Sequence, residues 1–243
     1  KNLIIYFALF FSVKEVWDLS DTETALASLG KTTVAFVLFS ILTGAVYLIN
    51  DIFDVNKDRI HPRKRMRPIA AGQLPYAVAW SSSVGLLLIS LGFSFLMEPL
   101  FGWIELAYLI LMIAYVLFLK RVVFVDVFLI SVGFVLRAIA GAVVLGAPVS
   151  PWLYTCAGLG ALLVALGKRR GELITAGDSA FRQRETLGWY TVKLIDRLMA
   201  IVAISALLTY TLYTGTATNL PNNHAMMLTV PFVFYGLFRY IHL

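Results

Sequence analysis

The sequence predicts an all-α fold, a polytopic bundle of membrane-spanning helices forming a single domain over residues 1–243, and three observations carry that prediction. Hydrophobic residues make up 60% of the chain and charged residues only 14%, with a mean hydropathy of +0.83, far from the make-up of water-soluble domains. Apolar stretches of about 20 residues, each long enough to cross a bilayer, recur from one end to the other. They lack the alternation of apolar and polar residues that a barrel strand needs, so helices, which satisfy their own backbone groups, are the fitting element.

Taken in order, the first stretch, 2–13, is short for a span. Fuller stretches follow at 32–50, 75–96, 102–119, 122–146, 151–167, 194–214 and 225–241, making eight in all. The connection after the second span holds Lys57, Arg59, Arg63, Lys64, Arg65 and Arg67. That after the fourth holds Lys120 and Arg121, and that after the sixth runs from Lys168 to Arg197. The segments around Glu98-Pro99, 146–151 and 214–224 carry no Lys or Arg, and 14–31 offsets its two lysines with four acidic residues. Basic residues collect in cytoplasmic loops, so the three basic connections are expected to face the cytoplasm. The net charge of +6 and the pI near 9.5 then follow from topology and lipid head groups, and no nucleic acid partner is expected. The lone Cys156 lies in an apolar run and reads as a small core residue. No signal peptide is expected, and both ends read as cropped.

Two of the basic connections are much longer than a tight interhelical turn requires, which points to function. In the first, Asn50, Asp51, Asp54 and Asp58 fall within an arc of about 100° if the second span continues as a helix. Three carboxylates gathered beside a membrane repel one another unless cations neutralise them. Hard oxygen ligands of this kind suit magnesium shared with a phosphate-bearing substrate. The bases from His61 to Arg67, pinned as a loop by Pro62 and Pro68, lie within reach of the same diphosphate. After the sixth span, Lys168 and Glu172 are four residues apart and share a helix face. Tyr115 and Lys120 close the fourth span, with Lys120 either at phosphate depth or serving topology alone. Arg137, midway along the fifth span, calls for a partner, either an anionic ligand or an acid on another helix.

These residues carry a resemblance. The Asn50-Asp51-x-x-Asp54-x-x-x-Asp58 run resembles the first aspartate-rich motif of the UbiA superfamily of membrane prenyltransferases. The extension His61-Pro62-x-Lys64-x-x-Arg67-Pro68-Ile69-Ala70-x-Gly72, the stretch from Phe134 to Gly141 and Gly167-Lys168-Arg169-x-x-Glu172-Leu173 are similar to the branch of polyprenyl-phosphate phosphoribosyltransferases. The resemblance implies a helical bundle with nine helices in the family. It also implies transfer of 5-phosphoribose from phosphoribosyl pyrophosphate to a polyprenyl phosphate, with Mg2+ and release of diphosphate. On that reading Asn50, Asp51, Asp54 and Asp58 hold the metal, and Lys64, Arg67, Lys120, Lys168 and Arg169 bind phosphates. Glu172 takes ribose or metal, Tyr115 and Arg137 contact substrate, and Asp54, Asp58, Lys168 and Glu172 form the catalytic group. One departure stands out within the superfamily. Prenyl-diphosphate enzymes carry a second Asp-x-x-x-Asp motif after the sixth span, where this chain has Lys168 to Glu172.

Two other readings compete: a prenyltransferase that moves a prenyl group from a prenyl diphosphate to an aromatic acceptor, and a transporter of an anionic or lipid substrate. Transport predicts ionisable residues near the midplane of several spans, whereas here the charges lie at one edge with Arg137 the main exception. A homo-oligomer is left open by the sequence.

Overall fold

The computed structural model describes residues 1–13, 16–18, 20–60, 64–148, 151–176, 185–217 and 223–242. Helices dominate them: α1 (Phe7–Phe11), α2 (Thr22–Ile60), α3 (Tyr76–Met97), α4 (Pro99–Leu117), α5 (Val125–Leu145), α6 (Pro151–Ala176), α7 (Val192–Thr216) and α8 (Val230–His242). His61 to Arg63, and the 177–184 part of the third basic connection, lie outside the described residues. Contacts divide the chain into two compact units, Lys1–Lys120 with Leu136–Val149, and Arg121–Val135 with Ser150–Leu243.

In the first unit, the expected span at 2–13 is a 3-10 turn, Asn2–Tyr6, followed by the five-residue α1. It is too short to cross a bilayer as a helix. By contrast α2 is longer than its apolar stretch, with 39 residues. It starts early because Asp21 Oδ1 accepts from the backbone N–H groups of Glu23 and Thr24, an N-cap that satisfies donors a helix start leaves open. It runs on to Ile60, with Pro62 two residues beyond to oppose further helix. A single extended residue, Glu98, joins α3 to α4, and Pro99 opens α4 where its missing N–H costs nothing. The core gathers Leu38, Phe39 and Leu42 of α2, Phe101 and Tyr108 of α4, Ala140 and Val144 of α5, and the fully buried Ile5. Gly141 lets α5 approach so closely that a Cβ there would run into the backbone carbonyl of Ile5. Between α3 and α4, the buried Glu105 accepts hydrogen bonds from Ser90 and Ser94 at 3.0 and 2.8 Å.

In the second unit α6 packs chiefly on α7. Its core holds Val127, Leu163, Leu166, Ile195, Met199 and Val202, with Leu237 and Tyr240 of α8 against it. Thr191 caps α7 by accepting from the N–H of Leu194. Gly167 lies under the hydroxyl of Tyr240.

Among the described residues, α2, α3, α4 and α5 combine the length and hydropathy needed to cross a membrane. The helices α6 and α7, at 26 and 25 residues, are long enough but carry Lys168, Arg169, Arg170 and Glu172, or Lys193, Asp196 and Arg197, within their ends. Large apolar side chains stand exposed on α3 and α4 (Leu88, Phe93, Leu96, Trp103, Ile110) and on α7 (Ile201, Ile204, Leu208, Leu212). Such surface is stable only against lipid, and the chain is an integral membrane protein.

Candidate functional site

The acidic motif occupies the last three turns of α2. Asp58 lies in the final turn, where the negative end of the helix dipole adds to the repulsion among three carboxylates on one face. Positive charge from outside the helix offsets both. Arg67 is delivered by a tight turn: a 3-10 segment, Lys64–Met66, is followed by backbone bonds from Ala71 to Arg67 and from Gln73 to Pro68, and Gly72 takes a left-handed conformation at φ +75°. Ile69 and Ala70 anchor this turn by burial beside Val55 and Ala79, and Arg59 Nε donates to the Ala70 carbonyl at 3.3 Å. The Arg67 guanidinium then reaches back so that Nη1 donates at 2.7 Å to Asp51 Oδ1 and at 2.7 Å to Asp58 Oδ2. Lys120, in the 3-10 turn Leu119–Arg121 after α4, places Nζ 2.6 Å from Asp54 Oδ1. Lys64 is exposed on the turn that carries Arg67, Asn50 is half-buried one turn before Asp54, and Tyr115 is half-buried near the end of α4.

Of the residues expected to bind metal or phosphate, Asp51, Asp54, Asp58, Arg67 and Lys120 are thus brought together, but as partners of one another. Among the described residues no three His, Cys, Asp or Glu side chains stand together as a ready metal cage. The donor set nonetheless fits magnesium in chemistry, being all oxygen and anionic. Arg67 Nη1, in contact with two carboxylate oxygens at once, stands in for a cation at that place.

Arg137 is buried in the first unit, and Asn2 and Tyr108 are among its partners. Its Nε donates to Asn2 Oδ1 at 2.9 Å and Nη2 to the Tyr108 hydroxyl at 2.5 Å. The guanidinium carbon lies 4.7 Å from the Tyr108 ring centre and 5.7 Å from that of Phe39. Phe39 precedes Asp51 by twelve residues, about 18 Å along α2, so Arg137 does not share the acidic cluster.

The second unit holds the Lys168 to Glu172 group on α6. Arg169, expected to bind a phosphate, is 1% exposed and already paired, with Asp126 Oδ2 at 3.1 Å from Nε and with Glu172. Lys168 is the outward cation of the pair, its side chain 64% exposed and 3.9 Å from Glu172 Oε1. Glu172 is therefore shared by a buried arginine and an exposed lysine. Asp126 is wholly buried and also accepts from the hydroxyls of Tyr190 at 2.9 Å and Thr186 at 3.4 Å. The Tyr190 oxygen in turn accepts from the N–H of Phe124, whose φ of +66° turns the chain into α5. Burial first, with the Asp126 carboxylate adding to it, pushes the Tyr190 phenol up to about 12, so it stays a donor at physiological pH. Asp126, Thr186 and Tyr190 carried no local sequence signal as a group, because Asp126 lies 60 residues before Thr186 and 64 before Tyr190.

The chain matches the UbiA prenyltransferase family over residues 20–243. It is 36% identical over 185 residues to the decaprenyl-phosphate phosphoribosyltransferase of Mycobacterium tuberculosis, covering 76% of this chain and 61% of that one. To the enzyme of the same name from Mycolicibacterium smegmatis it is 34% identical over 213 residues, covering 88% and 66%. It thus spans somewhat under two thirds of the length of these curated relatives. The solved structure of a UbiA homolog from Archaeoglobus fulgidus bound to DMAPP and Mg2+ has the same fold, with a TM-score of 0.76 at 15% identity, covering 99% of this chain and 82% of that one. Matched by family over nearly its whole length, the chain belongs to the UbiA prenyltransferase family.

Proposed function

We infer that this chain is a magnesium-dependent transferase that moves 5-phosphoribose from phosphoribosyl pyrophosphate to a polyprenyl phosphate, releasing diphosphate on the cytoplasmic side of the membrane. The observation that supports it most is the end of α2, where Asp51, Asp54 and Asp58 meet Arg67 and Lys120 in a chain 36% identical to a decaprenyl-phosphate phosphoribosyltransferase. Asn50, Asp51, Asp54 and Asp58 would hold magnesium, which when bound supplies positive charge to the leaving diphosphate. Arg67, Lys120 and the exposed Lys64 are the chain's own donors for the diphosphate oxygens. As the bond from ribose C1 to the diphosphate breaks, an oxygen of the lipid phosphate forms the new bond. That nucleophile is already anionic, so no strong base is required.

The donor also bears a 5-phosphate and ribose hydroxyls, for which Lys168 and Glu172 have the matching chemistry, a cation and an acceptor. Arg169 acts behind them, holding Glu172 from inside the unit. The fold neighbour bound to DMAPP gives a second reading, prenyl transfer from a prenyl diphosphate. Both are tested together: purified protein with Mg2+ receives either labelled phosphoribosyl pyrophosphate and polyprenyl phosphate, or labelled prenyl diphosphate and an aromatic acceptor. Label is expected in the organic phase as lipid-linked phosphoribose from the first mixture. Turnover of the second mixture alone would replace this function with the prenyltransferase one.

A further inference from the structure

Arg67 and Lys120 each have two claims on them. They hold the carboxylates of α2, and they are the nearest donors for a diphosphate. We propose that they are exchangeable counter-ions that occupy the metal-binding carboxylates until a diphosphate arrives, so that the divalent ion and the diphosphate bind as a coupled pair and each binds poorly alone. The proposal rests on the reading above that these residues take metal and diphosphate.

The geometry sets the two uses in competition at the same carboxylate oxygens. Arg67 Nη1 lies 2.7 Å from both Asp51 Oδ1 and Asp58 Oδ2, and Lys120 Nζ lies 2.6 Å from Asp54 Oδ1. A divalent ion binding those same oxygens would sit within a few ångströms of a fixed positive charge, so the cations must withdraw first. Withdrawal alone strips a guanidinium and an ammonium of charge-assisted hydrogen bonds. A diphosphate arriving alone meets three carboxylates. When both arrive, every charge has a partner: the carboxylates take the metal, and Arg67 and Lys120 turn to the phosphate oxygens. The movement asked for is small. The Arg67 side chain is 35% exposed on a long stem, while the turn behind it stays anchored by Ile69 and Ala70. Linkage then requires that diphosphate tighten metal binding by the same factor as metal tightens diphosphate binding.

The test measures labelled Mn2+ retained by the detergent-purified full chain in equilibrium dialysis, with and without inorganic pyrophosphate. Wild type should bind Mn2+ at least tenfold more tightly with pyrophosphate present, and pyrophosphate should gain equally from Mn2+. Arg67→Gln removes the competitor, so it should bind Mn2+ alone at least tenfold more tightly than wild type and lose most of the coupling. Lys120→Gln, which leaves the Arg67 turn intact, should shift in the same direction and serves if Arg67→Gln does not fold. Equal Mn2+ affinity with and without pyrophosphate in wild type, or looser Mn2+ binding in both variants, overturns the exchange while leaving the metal site standing. Absence of Mn2+ binding to wild type under either condition removes the metal site itself, and the exchange with it.

Discussion

Asp54 and Asp58 stand one turn apart at the end of α2, and their partners differ in a way that makes Asp54 the cleaner probe. Asp58 is 3% exposed and braces the Arg67 turn, whereas the Asp54 to Lys120 pair is partly open to solvent. Such a pair is worth about 1 kcal/mol or less to folding. Asp54→Ala should therefore lower the proposed phosphoribosyl transfer about a hundredfold or more, while the melting temperature moves by only about 2–4 °C. Transfer assays and thermal unfolding in the same detergent check both halves, and wild-type activity in the variant would falsify the metal role. Lys168 is also separable from folding, being exposed and only 3.9 Å from Glu172 in a surface pair. Lys168→Ala is expected to raise the KM for phosphoribosyl pyrophosphate about tenfold, equivalent to about 1.4 kcal/mol of donor binding, with kcat little changed. An unchanged KM in initial-rate measurements removes Lys168 from the donor site.

At the scale of elements, two glycines report how closely helices approach. A Cβ at Gly141 would strike the backbone carbonyl of Ile5, which sits in the core and cannot yield, whereas at Gly167 it would meet the Tyr240 hydroxyl, the far end of a flexible side chain. Gly141→Ala should cost about 1–3 kcal/mol, as overpacking of a tight contact does, and Gly167→Ala less than about 1 kcal/mol. Equal shifts in melting temperature would contradict this account. The network around Arg169 ties the start of α5 to α6 and to the segment before α7. Removing one side of a buried ion pair costs about 3–5 kcal/mol, and Glu172 remains as a second partner, so Asp126→Asn should cost about 3 kcal/mol. Adding Arg169→Gln to it should recover part of that loss, because the stranded charge is gone. A double-mutant cycle of melting temperatures that comes out additive denies the coupling.

For the molecule as a whole, the basic connections predict the orientation in the bilayer. In a variant with Cys156 replaced by Ser, single cysteines at Met66 and Asn223, both exposed, should differ when intact cells meet an impermeant thiol reagent. Position 223 is expected to react and 66 to stay protected until the cells are opened. The reverse pattern inverts the protein in the membrane and places the acidic cluster outside.

Composition alone settled the solvent: a chain this apolar exposes Leu, Phe and Trp on α3, α4 and α7 because lipid, unlike water, imposes no cost on them. Local spacing settled the main helices, and it placed Asp51, Asp54 and Asp58 on one face, since helical periodicity is a property of neighbours in sequence. The true length of α2 was less legible, because an N-cap at Asp21 and a polar extension to Ile60 lie outside the apolar stretch that signals a span. Tertiary structure alone decided which cation meets which carboxylate. The resemblance implied a phosphate role for Arg67 and Lys120, but their engagement of the α2 acids depends on turns 9 and 66 residues away. Likewise nothing near Arg169 in sequence showed that Asp126, Thr186 and Tyr190 would be gathered around it. Charge pairing in a low-dielectric interior is set by distance in space, and only the folded chain supplies that distance.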